Sequence, residues 1–248
     1  MPESRLDTLH SALFWLSLPF LLPQGLWVKR TARRLPPAAG PRSGVVGVGE
    51  VRHLLLIGDS IIDGVGVQHL CDALPGQIAS ALADRHQCCV HWQAFGDNGA
   101  SCADLHGTLS ALLSAGPADW VFVSVGVNDV TRLTRRHIWR AQLTALLAAL
   151  SQHSPNAAIL LAGVPPMGRF PALPAPLRQV FGWRAARLDQ LGQTVAASVK
   201  RVCHLPTPVP DDPSAFASDG YHPNASACQQ WAGVIALATQ APQSAAPW

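Results

Sequence analysis

VRHLLLIGDSIIDG, residues Val51 to Gly64, is the stretch on which the fold turns. Leu54, Leu55, Leu56 and Ile57 form an unbroken apolar run of strand length. A strand that is apolar on both sides must be covered on both sides, as in a parallel sheet flanked by helices. The run stops at Gly58, and Asp59-Ser60 follows in a polar, glycine-bearing loop. Polar residues directly after a buried strand sit where a rigid scaffold presents chemistry.

Working outward, the same rhythm recurs. Helical spacing is expected over 73–85, a second strand over 90–95, and a helix over 103–113. A third strand is expected over 120–125. Trp139, Leu143, Leu146, Leu147 and Leu150 recur at helical spacing. Strands are expected over 159–164 and 202–205, and helices over 184–199 and 224–239. Short apolar strands alternating with helices predict an α/β fold. It is a three-layer α/β/α sandwich around a central, mainly parallel sheet of about five strands. Three polar clusters then fall at the carboxyl ends of strands, where such sheets bind ligands.

Composition narrows the function classes. The chain has 248 residues, 48% hydrophobic and 13% charged, too apolar for disorder. The net charge is only +3, and four cations lie together at Lys29, Arg30, Arg33 and Arg34. No basic face and no aromatic–basic interleaving points to nucleic acid. The six cysteines show no C-x-x-C pair and no zinc-like spacing with histidine. They read as small buried residues, with a weak leaning towards a reducing compartment. No metal and no organic cofactor is expected.

Four clusters carry chemistry, and each has a plainer reading beside it. Ser60 in Gly58-Asp59-Ser60 can project a hydroxyl from the top of the sheet, or cap a helix. Ile62 stands where a G-x-S-x-G elbow needs its second glycine, so that motif is absent. Gly99 in Asp97-Asn98-Gly99 can offer its N–H to an oxyanion, or form a turn. Asn128 in Gly126-Val127-Asn128-Asp129 can donate to developing negative charge, or cap a helix. In Asp219-Gly220-Tyr221-His222-Pro223, one tight segment supplies an imidazole and a carboxylate three residues before it. That is the relation between a general base and its orienting acid, although the segment reads equally as a surface loop with a helix-start proline. Asp63 and Asp129 are assigned structural roles in loops.

Taken together and in this order, the clusters resemble the SGNH/GDSL hydrolase superfamily, over about Val51 to Trp231. The family's marker residues are Ser, Gly, Asn and His. Ser60 matches the first, Gly99 the second, Asn128 the third and His222 the last, with Asp219 as the acid of the final block. Ile61 replaces the leucine of the G-D-S-L signature. The resemblance implies a flavodoxin-like SGNH hydrolase fold and a catalytic set of Ser60, Asp219 and His222. It implies an oxyanion hole from the Ser60 and Gly99 N–H groups and the Asn128 side chain. Carboxylic esters, short acyl or lysophospholipid-like, are then the expected substrates. Thioesters, O-acetylated carbohydrate and acyl transfer are alternatives on the same site. A non-catalytic, membrane-tethered binding protein is the alternative from another class. The segment Val164-Pro-Pro-Met-Gly-Arg-Phe-Pro-Ala-Leu-Pro-Ala-Pro176 reads as a pocket wall or lid, or as a rigid connector.

Residues 8–28 contain no formally charged side chain apart from the neutral His10. The run is apolar all round rather than striped. Glu3, Arg5 and Asp7 precede it, which does not suit a secretory signal. Its basic flank is placed to meet anionic lipid. The expectation is therefore a membrane-associated enzyme with its catalytic domain on the cytoplasmic side, residues 1–34 forming a possible anchor. The competing readings are an atypical signal and a helix packed on the domain. A Pro/Gly-rich linker over 35–49, the hydrolase domain over 50–241 and a tail over 242–248 complete the expected organisation.

Overall fold

The computed structural model describes residues 19, 21–105, 107, 115–209 and 212–239. Six strands form one sheet: β1 Ser43–Val46, β2 Val51–Gly58, β3 Cys89–Gly96, β4 Trp120–Ser124, β5 Ala158–Ala162 and β6 Val202–Leu205. Their spatial order is β1-β3-β2-β4-β5-β6. β1 pairs antiparallel with β3, and every other pair is parallel. Among the described residues, seven α-helical segments and two short 3-10 segments, Met167–Arg169 and Pro213–Ala215, connect or flank them. The α-helical segments are α1 over 21–31, α2 Leu74–His86, α3 over 102–105, α4 Val127–Thr131, α5 Arg136–His153, α6 Leu177–Ser198 and α7 Ala225–Ala238.

The apolar runs divide between two cores, because successive strand residues face opposite sides. Leu55, Ile57, Val121, Val123, Ile159 and Leu161 pack with α5 and α6. Leu54, Leu56, Trp120, Phe122, Leu160 and Ala162 pack with α2 and α7. The three-layer expectation holds, and each fully buried Leu, Ile, Val or Phe contributes about 1.5–3 kcal/mol.

The chain passes from β2 to β3 on one side and then to β4 on the other, so the winding reverses at β2. Crevices for ligands form at such reversals. β3, β2 and β4 are adjacent, so the loops that carry Gly99, Ser60 and Asn128 are neighbours at one edge. Gly58 and Gly96 end paired strands there. A Cβ at Gly58 would strike the Ser124 carbonyl and approach Ile62 Cγ1 to 2.7 Å. The turn after β2 therefore folds tightly back on the sheet.

The structure differs from the sequence reading at the N-terminal side. Residues 35–49 are not a free linker. Ala38 N–H donates to the Asp63 carbonyl at 3.0 Å, and Ala39 N–H to the Gln68 carbonyl at 2.9 Å. Arg42 pairs with Asp63, and Ser43–Val46 forms a sixth strand on β3. Pro and Gly suggested flexibility, but an edge strand is recruited through backbone groups alone. Gly44 also makes room for Trp92, whose Nε1 would lie 2.8 Å from a Cβ there.

Most of the candidate anchor, residues 1–18 and 20, lies outside the described residues. The described part, α1, packs on the domain: Leu21 is buried in the α5/α6 core, and Gln24 bonds Ala175 and Leu177. No helix among the described residues is long and apolar enough to cross a membrane. α6 begins at Leu177, seven residues before the expected start. The expected helix over 103–113 is described only at 102–105 and 107. All six cysteines are free thiols, but only Cys88, Cys102 and Cys228 are buried as expected, while Cys71 and Cys203 are exposed.

Candidate active site

Ser60 lies in the turn that follows β2 and is 9% exposed. Asp59 organises the turn: its carbonyl accepts from Ile62 and Asp63, and its carboxylate accepts from Ile61 N–H at 3.2 Å. The serine hydroxyl is thus free of capping duty. It lies 2.8 Å from His222 Nε2, a contact between residues 162 positions apart. His222 Nδ1 is 2.6 Å from Asp219 Oδ2. A carboxylate can only accept, so Nδ1 carries the proton and Nε2 offers a lone pair to the serine.

Asp219 is held as tightly as it holds. Its Oδ1 accepts from the N–H groups of Tyr221 at 2.9 Å and His222 at 3.1 Å. Burial pushes its carboxyl up, but the hydrogen bonds from His222 and Tyr221 outweigh this and leave it below the usual range. The segment is stapled on both sides. Ala217 N–H donates to the His222 carbonyl at 2.8 Å. Asn224 caps α7 by accepting from Ala227 N–H at 2.9 Å. Pro223 between them fixes the chain direction into the helix.

Asn128 is the second residue of α4, whose N-cap is Gly126 rather than a side chain. Asn128 is therefore not a cap. Its Nδ2 donates to the Ala100 carbonyl at 3.0 Å, which ties it to the Gly99 loop. Gly99 sits at φ +92°, the region that favours glycine. Neither Ser60 N–H nor Gly99 N–H donates to another group among the described residues. Asp129 is fully buried and accepts from Cys102 N–H at 3.0 Å, a loop role as expected. Asp63 pairs with Arg42 and is likewise structural.

Beside Ser60 and His222 opens a cavity of about 250 Å³. Its walls are mostly apolar and include Val127, Pro165, Phe170, Val209, Phe216 and Trp231. Pro165 and Phe170 belong to the proline-rich loop, which therefore forms a wall. Phe170 stacks edge-on against Tyr221 and Phe216, with ring centres 4.9 and 6.0 Å apart.

Several residues at the site escaped the sequence reading. Asp59 is buried beside His222, and burial above all pushes its carboxyl up to about 6. The wall residues 207–209 and Trp231 carry no motif. Arg132 bonds the Gly99 carbonyl, and its position four residues after Asn128 was an available signal, since such residues share a helix face.

An alcohol bonded to an imidazole whose other nitrogen faces a carboxylate can become a nucleophile. No cofactor is needed for that chemistry.

The sequence profile of the GDSL-like Lipase/Acylhydrolase family matches residues 56–229. The GDSL-like esterase Rv1075c of Mycobacterium tuberculosis is 28% identical over 199 residues, 75% of this chain and 61% of that protein. The chain thus spans less than two thirds of that relative. Among solved structures, the family 3 carbohydrate esterase of Clostridium thermocellum aligns with a TM-score of 0.59 and 16% identity. That alignment covers 75% of this chain and 94% of that one. The acetylxylan esterase Axe2 of Geobacillus stearothermophilus gives a TM-score of 0.55 and 18% identity, over 80% and 99% of the two chains. At such identities the structural matches show a shared fold. The profile match runs from β2 into α7 and takes in Ser60, Gly99, Asn128, Asp219 and His222, and the chain belongs to the GDSL-like lipase/acylhydrolase family.

Proposed function

We propose that the chain hydrolyses carboxylic esters through an acyl-enzyme on Ser60. His222 Nε2 takes the hydroxyl proton as Ser60 Oγ attacks the ester carbonyl. The oxyanion is received by the N–H groups of Ser60 and Gly99 and by Asn128 Nδ2. Asp219 keeps the imidazole in the required tautomer and stabilises its charged form. His222 returns the proton to the leaving alcohol, and the carbonyl reforms as that bond breaks. Water, deprotonated by His222, then releases the acid and frees Ser60.

The observation that carries this reading is the unbroken chain Ser60 Oγ to His222 Nε2 at 2.8 Å and His222 Nδ1 to Asp219 Oδ2 at 2.6 Å. The apolar walls beside it support an acyl chain rather than a sugar as the group bound next to Ser60. The test is labelling by a fluorophosphonate, followed by hydrolysis of p-nitrophenyl esters of two to twelve carbons and of acetylated xylan. Labelling should disappear in Ser60→Ala, and medium-chain esters should be preferred. Preference for acetylated xylan would favour the carbohydrate O-acetylesterase reading.

The same proposal includes contact with a membrane surface through α1. Its outer side exposes Leu22, Leu26 and Trp27, and Lys29, Arg30, Arg33 and Arg34 follow. Apolar side chains beside a cationic cluster suit the interface of an anionic bilayer.

A further inference from the structure

Glycine crosses between positive and negative φ at little cost, so the N–H of Gly99 is the softest of the proposed oxyanion donors. A flip of the Asn98–Gly99 peptide would turn that N–H away from Ser60, and rotation of the next peptide would shift the loop that carries it. The loop has no regular structure of its own at Asp97–Ser101. Besides its internal Ala100 N–H bond to the Asp97 carbonyl, contacts from outside hold it.

The side chain of Arg132 reaches three groups of this loop and of α3. Nη2 donates to the Gly99 carbonyl at 2.8 Å. Nη1 donates to Asp104 Oδ2 at 2.6 Å and approaches Ser101 Oγ at 3.4 Å. Asp104 is itself fixed, because it accepts from Ser101 N–H at 2.9 Å and Ser101 Oγ at 2.8 Å. The peptide after Gly99 is thereby tied at both ends: its carbonyl to Arg132, and its N–H, on Ala100, to the Asp97 carbonyl at 3.0 Å. Asn128 holds the next carbonyl, that of Ala100.

Stability does not explain this arrangement. Arg132 and Asp104 are 53% and 42% exposed, and ion pairs of that exposure contribute little. The planar fork explains it better, since two nitrogens in fixed relation can span a carbonyl and a carboxylate at once. Arg132 also follows α4 directly, and its own N–H donates to the Asn128 carbonyl at 2.8 Å. One short segment thus carries Asn128 and the clamp on Gly99.

We propose that Arg132 is a positioning residue, which keeps the Gly99 N–H aimed at the oxyanion beside Ser60. The proposal rests on the ester-hydrolase reading of the site. Misplacement by about 1 Å costs on the order of 100-fold in rate. Arg132→Ala should therefore lower kcat by about 10–100-fold, with KM within about twofold and an unchanged melting temperature. A boronic acid, which forms a tetrahedral adduct on the serine, should lose affinity by the same factor. Arg132→Lys should restore only part of the rate, and added guanidinium should partly rescue Arg132→Ala. Unchanged kcat and boronate affinity in both Arg132 variants would overturn the clamp, as would a loss confined to KM or melting temperature. Asn128→Ala, measured alongside, separates the two levels. If it lowers kcat while the Arg132 variants do not, only the clamp fails. If neither substitution changes kcat, the oxyanion reading fails with it.

Discussion

At the scale of single residues, the proposed site is expected to act as a unit, and its mutants should show it. Ser60→Ala and His222→Ala are each expected to remove nearly all esterase activity, and the double variant to be little worse than either. Steady-state kinetics on one soluble ester checks this, and a double variant far below both singles would break the shared role. If Asn128 is the proposed oxyanion donor, Asn128→Ala should lower kcat by about 10²–10³-fold with KM nearly unchanged, and an unchanged kcat would remove that role.

Asp59 adds a pH dependence. Its folded carboxyl is pushed up to about 6, mainly by burial, against 3.8 ordinarily. The folded state therefore holds the proton more tightly than the unfolded state. The stabilisation this gives is fully present below about pH 4 and is lost as pH rises through 6. The amount at stake is about 3 kcal/mol. Asp59→Asn keeps an acceptor for Ile61 N–H without a charge. Its stability relative to the parent should rise between pH 4 and 8, as read from urea unfolding. A gap that stays constant over that range would show that Asp59 titrates normally.

At the scale of elements, α4 is the weak point. Five residues cannot hold a helix unaided. Buried Arg184 of α6 donates to the carbonyls of Val130, at 3.2 Å, and of Thr134, at and just beyond the C-terminal end of α4. A cation there suits the helix dipole. Burial pulls its guanidinium down to about 10, so it remains charged at neutral pH. Arg184→Leu removes the donor to the part-buried Thr134 carbonyl and one of the donors to the Val130 carbonyl, at a cost of about 1–3 kcal/mol. Melting temperature and kcat should fall together, because Asn128 rides on α4. A fall in melting temperature with kcat intact would show that α4 keeps its place without Arg184.

At the scale of the whole molecule, the N-terminal side is both structure and proposed membrane contact. Deleting residues 1–44 would cut into β1 and expose the edge of β3, so aggregation is expected. Deleting residues 1–18 leaves every described contact in place and should preserve turnover on a soluble ester. The full chain should sediment with anionic vesicles, less so as salt rises and less so in Leu26→Asp. Salt-independent binding, or none, would leave α1 as a packing element only.

Much of this was open to reading along the chain. The central strands announced themselves as apolar runs, and Ser60, Asn128, Asp219 and His222 stood in motifs beside them. Those are local properties, visible within about ten residues because side-chain periodicity and turn chemistry act over that range. They determined the fold class, the order of the chemical groups and the choice of residues proposed as base and acid. Only the tertiary structure decided that β1 closes the edge of β3. It also decided that Arg132 bonds the Gly99 carbonyl across 33 positions and that residues from the turn after β2 to α7 line one largely apolar cavity. The reason is physical: such contacts depend on sheet order and on backbone groups that every residue carries, and neither leaves a periodic trace in the sequence.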